Sequence, residues 1–228
     1  MVYITGDMHG ELSRFKDNSL KKLKKGDFLI ICGDFGFVWD NSDKEKKALK
    51  KISKKKFSVL FIDGINENHA LLESYPETDF SGGKAYKISE NIYRLKNGEV
   101  YLLGGKKFLT IGGGESDENF SDFNGEYIFS ESDSKNLEEK LKQHSNTFDY
   151  IITHDAPTSI KQFLEITPSQ FGNISDILED IFKNTSYSRW FFGKYHLDKP
   201  ISYKLYAVYL NTHPIYDTQE NKKKKARP

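Results

Sequence analysis

The stretch Val2-Tyr3-Ile4-Thr5-Gly6-Asp7-Met8-His9-Gly10 opens the chain and decides how the rest is read. Its first four residues are apolar or β-branched, as in a buried strand, and Gly6 allows a sharp turn directly after them. Asp7 and His9 follow two residues apart, on the same side of the segment if it stays extended. A carboxylate and an imidazole presented together at a strand's end are half of a metal site. They would serve equally as the cap of a following helix and an ordinary loop histidine. What recurs downstream decides between these readings.

The arrangement does recur. Phe28-Leu29-Ile30-Ile31-Cys32 is a continuous apolar run that leads into Gly33-Asp34-Phe35-Gly36, and Phe57 to Ile62 leads into Asp63-Gly64. Continuous rather than alternating hydrophobicity predicts strands covered on both faces. Helical periodicity over Glu11–Leu23 and Lys44–Lys55 separates the three, giving a β-α-β-α-β order with parallel strands and right-handed crossovers. In such open sheets ligands collect at the carboxyl edge. Ala85–Ile88, Asn91–Leu95, Val100–Leu103 and Lys107–Ile111 are short strands at hairpin spacing with turn-forming separators. Further on, Ser134–His144 and Ile174–Phe182 read as helices. Tyr150–Thr153 and Arg189–Phe192 read as strands ending in His154-Asp155-Ala156-Pro157 and Gly193-Lys194-Tyr195-His196, and Ser202–Leu210 as closing strand segments. Gly112-Gly113-Gly114 lacks the helix and Lys-Ser/Thr of a phosphate loop and reads better as close backbone approach.

Composition narrows the classes. A chain of 228 residues with 34 Lys+Arg against 33 Asp+Glu is nearly balanced, which argues against a dedicated nucleic-acid binder. Its lysines cluster at 21–25, 44–56 and 222–225, which leaves nucleic acid open as a third class of partner. There is no apolar run of the ~20 residues a spanning helix needs, and no export signal is read at the start. The one cysteine, Cys32, sits in an apolar run, as expected of a core thiol in a reducing cytoplasm. No repeat or linker divides the chain: residues 1–217 are expected to form one domain, and 218–228 a disordered basic tail.

Asp7, His9, Asp34, His154 and His196 thus stand at the ends of four buried strands, too regular a placement for capping alone. With its ordered motifs Gly6-Asp7-Met8-His9-Gly10, Gly33-Asp34-Phe35-Gly36, Asp63-Gly64 with Glu67-Asn68, Thr153-His154-Asp155-Ala156-Pro157 and Trp190 to His196, the sequence resembles the calcineurin-like metallophosphoesterases, especially compact bacterial and phage members, over nearly its whole length. The resemblance implies an α/β fold of two facing mixed β-sheets flanked by helices. It also implies two divalent ions about 3.5–4 Å apart that activate water for phosphoester hydrolysis. One ion would take Asp7, His9, Asp34 and His196. The other would take Asp34, an asparagine of the third motif, His154 and the first histidine of the last motif.

The departures from the family pattern all fall on the second ion. Where the family has Gly-Asn-His-Glu, this chain has Gly64-Ile65-Asn66-Glu67, so Ile65 stands at a ligand position and Asn66 at that of the proton-donating histidine. A reshaped loop that turned in Asn66, or Asn68 and His69, would be needed to restore the ligands. Where the family has Gly-His-x-His, the chain has Gly193-Lys194-Tyr195-His196. Lys194 is expected to turn inward near Asp34 and His154, pairing with Asp34 or with a ligand's phosphate. The segment from Gly112 to Ser132, with Glu115, Asp117, Glu118, Asp122, Phe120, Phe123 and Tyr127, suits a partner surface better than a phosphate pocket. The expectation is therefore one divalent ion (Mn, Fe or Zn) without the second. The protein would be a non-hydrolytic or weakened member binding a phosphate-containing small molecule or a protein. The competing reading is an active phosphomonoesterase or phosphodiesterase using one ion with Lys194, and with Asn66 in the altered acid position.

Overall fold

Alternation along the central strands sends successive side chains to two different cores. The computed structural model describes residues 1–115, 129–167 and 172–215. In chain order, β1 (Val2–Thr5), β2 (Phe28–Ile31), α1 (Asp43–Ile52), β3 (Ser58–Phe61) and α2 (His69–Glu73) are followed by β4 (Glu77–Phe80), β5 (Gly83–Ser89) and β6 (Ile92–Leu95). Then come β7 (Glu99–Leu103), β8 (Lys106–Ile111), α3 (Glu131–Gln143), β9 (Thr147–Thr153), α4 (Thr158–Phe163) and α5 (Asn173–Asn184). The last strands are β10 (Ser186–Phe192), β11 (Lys199–Pro200), β12 (Leu205–Ala207) and β13 (His213–Pro214). They form a seven-stranded sheet in the order β13-β1-β2-β3-β6-β5-β4 and a six-stranded sheet in the order β11-β12-β10-β9-β8-β7. Both are mixed: β1, β2, β3 and β6 run parallel, as do β8, β9, β10 and β12, with antiparallel strands at the margins.

Val2, Ile4, Ile30, Cys32, Leu60 and Ile62 point from the first sheet onto Tyr101, Phe108, Tyr150, Ile152 and Phe191 of the second. The intervening Tyr3, Leu29, Ile31, Val59 and Phe61 point outward, beneath Ala48, Leu49 and Ile52 of α1. On the other side Leu137 of α3 and Leu178 and Ile181 of α5 close over Leu109, Ile151 and Trp190. The result is the expected pair of facing mixed sheets flanked by helices. No helix among the described residues is long and apolar enough to cross a membrane. The basic tail, residues 218–228, lies outside the described residues.

Three expectations are corrected. The helix read over Glu11–Leu23 is two 3-10 turns, Leu12–Lys16 and Asn18–Lys22. Asp17 breaks it: its backbone is extended (ψ 134°) and its carboxylate accepts the Ser19 amide at 2.8 Å, a local bond that competes with helix. The middle strands are not one run of hairpins. β5–β6 and β7–β8 are antiparallel pairs, but β6 belongs to the first sheet and β7 to the second. The chain crosses at Lys96–Gly98, where the Tyr101 hydroxyl accepts the Lys96 amide at 2.9 Å and the Lys96 carbonyl accepts the Thr110 hydroxyl at 2.9 Å. The short elements β4, α2 and α4 carry too little periodicity to be read from sequence.

Ile30 is fully buried between the sheets. Truncation to Ala should lower the unfolding free energy by about 2–5 kcal/mol, read from urea unfolding. An unchanged midpoint would mean that the sheets do not close on one another there.

Candidate metal centre at the strand ends

Four loops deliver the site. The turn after β1 carries Asp7 and His9, that after β2 carries Asp34, that after β9 carries His154, and that after β10 carries Lys194 and His196. Backbone bonds stitch these loops together. The amides of Met8 and His9 both donate to the Asp34 carbonyl, at 3.0 and 2.8 Å, and the Lys194 amide donates to Asp7 Oδ1 at 3.1 Å. His9, Asp34, Lys194 and His196 all have left-handed backbone, with φ of 45°, 47°, 64° and 52°. Each such non-glycine residue costs on the order of 1–3 kcal/mol, and such strain concentrates where surrounding structure holds functional groups. Glycine makes the convergence possible. A Cβ on Gly33 would fall 2.1 Å from His154 Nδ1, and one on Gly64 would fall 1.9 Å from Asp34 Oδ1.

Asp7, His9 and His196 bring one ligand atom each within 4.8 Å of one another. His9 Nε2 and His196 Nε2 are 3.1 Å apart, and His196 Nε2 is 3.2 Å from Asp7 Oδ2. Donors each about 2.0–2.2 Å from a common ion stand at roughly such separations. Asp7 Oδ2 is buried and has no well-aligned hydrogen bond, so its contact with His196 is chiefly electrostatic. A buried carboxylate oxygen left in that state fits a cation. Burial alone would raise the Asp7 pKa, but the His196 contact, the charge of His154 and the Lys194 amide lower it overall. Contact with Asp7 in turn raises the pKa of His196. The rings of His9 and His196 are 40 % and 48 % exposed while Asp7 is 1 % exposed, so the trio opens to solvent on its imidazole side. His196 is fixed from behind by stacking on Tyr209, 4.3 Å between centroids.

Asp34 and His154 stand to one side of the trio. Asp34 Oδ2 is 3.9 Å from His9 Nδ1, the ring nitrogen that faces away from His196, and Asp34 Oδ1 is 3.9 Å from His154 Nε2. His154 is held like a ligand: Nδ1 bonds the Cys32 carbonyl at 2.7 Å, and the buried Nε2 has no hydrogen-bond partner among the described residues. Asn66 does turn in, but with donors. Its amide N–H and its side-chain Nδ2 give 2.8 Å bonds to Asp34 Oδ1 and Oδ2. Asn68 and His69 do not replace the missing pair. Asn68 caps α2 through Leu71 N at 3.0 Å, and His69 is the first residue of that helix.

Lys194 is internal, as expected, but its partner is not Asp34. Nζ reaches Asp155 Oδ2 and the Glu115 carbonyl, both at 2.6 Å, and its side chain is 5 % exposed. The fully buried Lys161 of α4 joins the same cluster, 2.9 Å from Asp155 and 2.7 Å from Glu115, and the Tyr195 hydroxyl donates to Asp155 Oδ1. Glu115 also accepts the Ile174 amide at the start of α5, at 2.8 Å. Glu115 is therefore part of an internal ion cluster rather than of a partner surface. Asp117, Glu118, Phe120, Asp122, Phe123 and Tyr127 lie outside the described residues. Sequence reading missed Asp155, Lys161 and Glu115 as a group, because their separations along the chain carry no periodic signal. The close approach read for the triple glycine holds: Cβ atoms on Gly112 and Gly114 would meet Asp63 and Asp155.

Asp155 should be a stability residue with a defined pH signature. Burial would raise its pKa, but Lys194 and Lys161 hold it below the model value of 3.8. A carboxyl with a lowered folded-state pKa stabilises above its unfolded value and loses that contribution as pH falls through the folded one. Asp155→Asn leaves two ammonium groups under-compensated and should cost about 3–5 kcal/mol at pH 7. In urea unfolding the deficit should be the same at pH 5 as at pH 7, shrinking only in stronger acid. A variant as stable as the parent would show that the two lysines reach solvent.

No curated protein matches the chain significantly. The model of the calcineurin-like phosphoesterase family matches residues 1–205 of the 228, and thus every strand end that carries the site. The chain belongs to the calcineurin-like phosphoesterase family.

Proposed function

We propose that this protein holds a single divalent ion, Mn, Fe or Zn, through Asp7, His9 and His196 with Asp34 beside them. It would bind a phosphate-containing small molecule there without efficient hydrolysis. Mixed imidazole and carboxylate donors suit those three metals. An ion so held supplies a positive charge for a phosphoryl oxygen. The observation that carries the reading is the engagement of the groups around the second position. Asn66 turns two N–H donors onto Asp34, and Lys194 is spent on Asp155 and the Glu115 carbonyl. That leaves Asp34 Oδ1 and His154 Nε2, 3.9 Å apart, as the remaining donors among the described residues. Two donors alone do not make a closed site for these metals, which take four or more.

The alternative, hydrolysis by one ion with Lys194 as the second cation, is less well supported because the Lys194 ammonium points to Asp155. Asn66, whose side chain donates to Asp34, has no proton to exchange with a leaving group. A protein partner at the same cleft and nucleic acid on the lysine clusters remain competing classes of ligand. A cytoplasmic setting belongs to the same proposal, resting on the free, buried Cys32.

After loading with Mn²⁺, metal analysis should find about one ion per chain, and His196→Ala should abolish it. Turnover of bis(p-nitrophenyl) phosphate should match that of Asp34→Asn. Ile65→Asn, Asn66→His and Lys194→His combined should raise the metal content towards two. Two ions in the unaltered chain, or turnover well above the Asp34→Asn background, would overturn the proposal.

A further inference from the structure

A second cavity, of about 330 Å³, opens beside the turn that follows β3, and none of the five metal-site residues lines it. Its two cations differ in depth: the Arg94 side chain is 8 % exposed and that of Lys96 31 %. Arg94 Nε and Nη2 each give a 2.7 Å bond to Asp63. That edge-on pairing turns both N–H groups of Nη1 away from Asp63, and Nη1 has no hydrogen-bond partner among the described residues. Lys96 is tied to Glu77 at 2.5 Å, and Asp133 is spent on the Ser130 cap of α3. Glu73, at the end of α2, is exposed and makes no ion pair with another described residue, although its charge acts on Arg94.

Two charged groups thus remain to be matched, a donor deep in the cavity and a carboxylate at its rim. An anion alone would meet three carboxylates, Asp63, Glu73 and Asp133, against two cations. A cation alone would leave Nη1 buried and unsatisfied, which is costly. We propose that this cavity binds a small zwitterion of the α-amino-acid type, its carboxylate inward on Arg94 Nη1 and its ammonium outward toward Glu73.

Calorimetric titration of the full chain tests this, with and without EDTA. The probes are the free amino acids one at a time, with acetate, inorganic phosphate and ethylammonium as single-charge controls. At least one amino acid should bind saturably, more tightly than any control and equally well with EDTA, which separates this site from the metal reading. Arg94→Lys should abolish binding if it folds. Glu73→Gln, at an exposed position that folding does not depend on, should weaken it about tenfold, the worth of one charged contact. The proposal fails if no amino acid binds at millimolar concentration, if phosphate or acetate binds as well, if EDTA removes binding, or if Glu73→Gln leaves it unchanged.

Discussion

Parallel strand pairing is the constraint on which the site depends. Because β1, β2 and β3 run the same way in one sheet and β9 and β10 the same way in the other, their carboxyl ends emerge together. The face-to-face packing of Ile4, Ile30 and Cys32 against Ile152 and Phe191 then brings the two edges within side-chain reach. Asp7, Asp34, His154 and His196 need no long side chains to converge, since the backbone does the transport. The cost appears locally, as left-handed φ at four of the loop residues and as glycines pressed against imidazole and carboxylate.

A buried ammonium needs more than one acid to be tolerated, and the Lys194 cluster illustrates this. Taking Lys194 and Lys161 out of water is unfavourable unless both are neutralised and hydrogen-bonded. Asp155 and Glu115 supply the charge, and the Glu115 carbonyl and Tyr195 hydroxyl fill the remaining bonding positions. Glu115 also meets the amino end of α5, where peptide dipoles favour a negative charge. The cluster joins the loop after β9, the loop after β10 and the start of two helices. It thereby supports the backbone that carries His196. Across the site Glu67 solves a similar problem by neutrality. Burial, with Asp34 and Asp63 nearby, pushes its pKa well up, so it meets the Phe35 amide without adding a third charge.

The two halves of the site were not equally readable. Asp7, His9, Asp34, His154 and His196 each follow an apolar run directly, so a local pattern announces them. The Lys194 replacement was equally visible, and so was its inward turn. Its partner was not, because Asp155 competes with Asp34 for the ammonium and only distances settle that contest. Asn66 shows the same limit. Its residue type is plain, but whether it offers oxygen or nitrogen to Asp34 depends on a loop conformation that no spacing encodes.

Local sequence by itself determined the buried strands, their common direction and the residue types at their ends, because hydrophobic runs and turn residues act over a few positions. It also determined that two family ligands are missing, since Ile65 has no donor atom and Lys194 is a cation. Tertiary structure alone decided which strands share a sheet, as β6 and β7 show, because that turns on packing between distant segments. It alone decided where each charge is neutralised, because electrostatic pairing in a low-dielectric interior follows distances through space rather than along the chain.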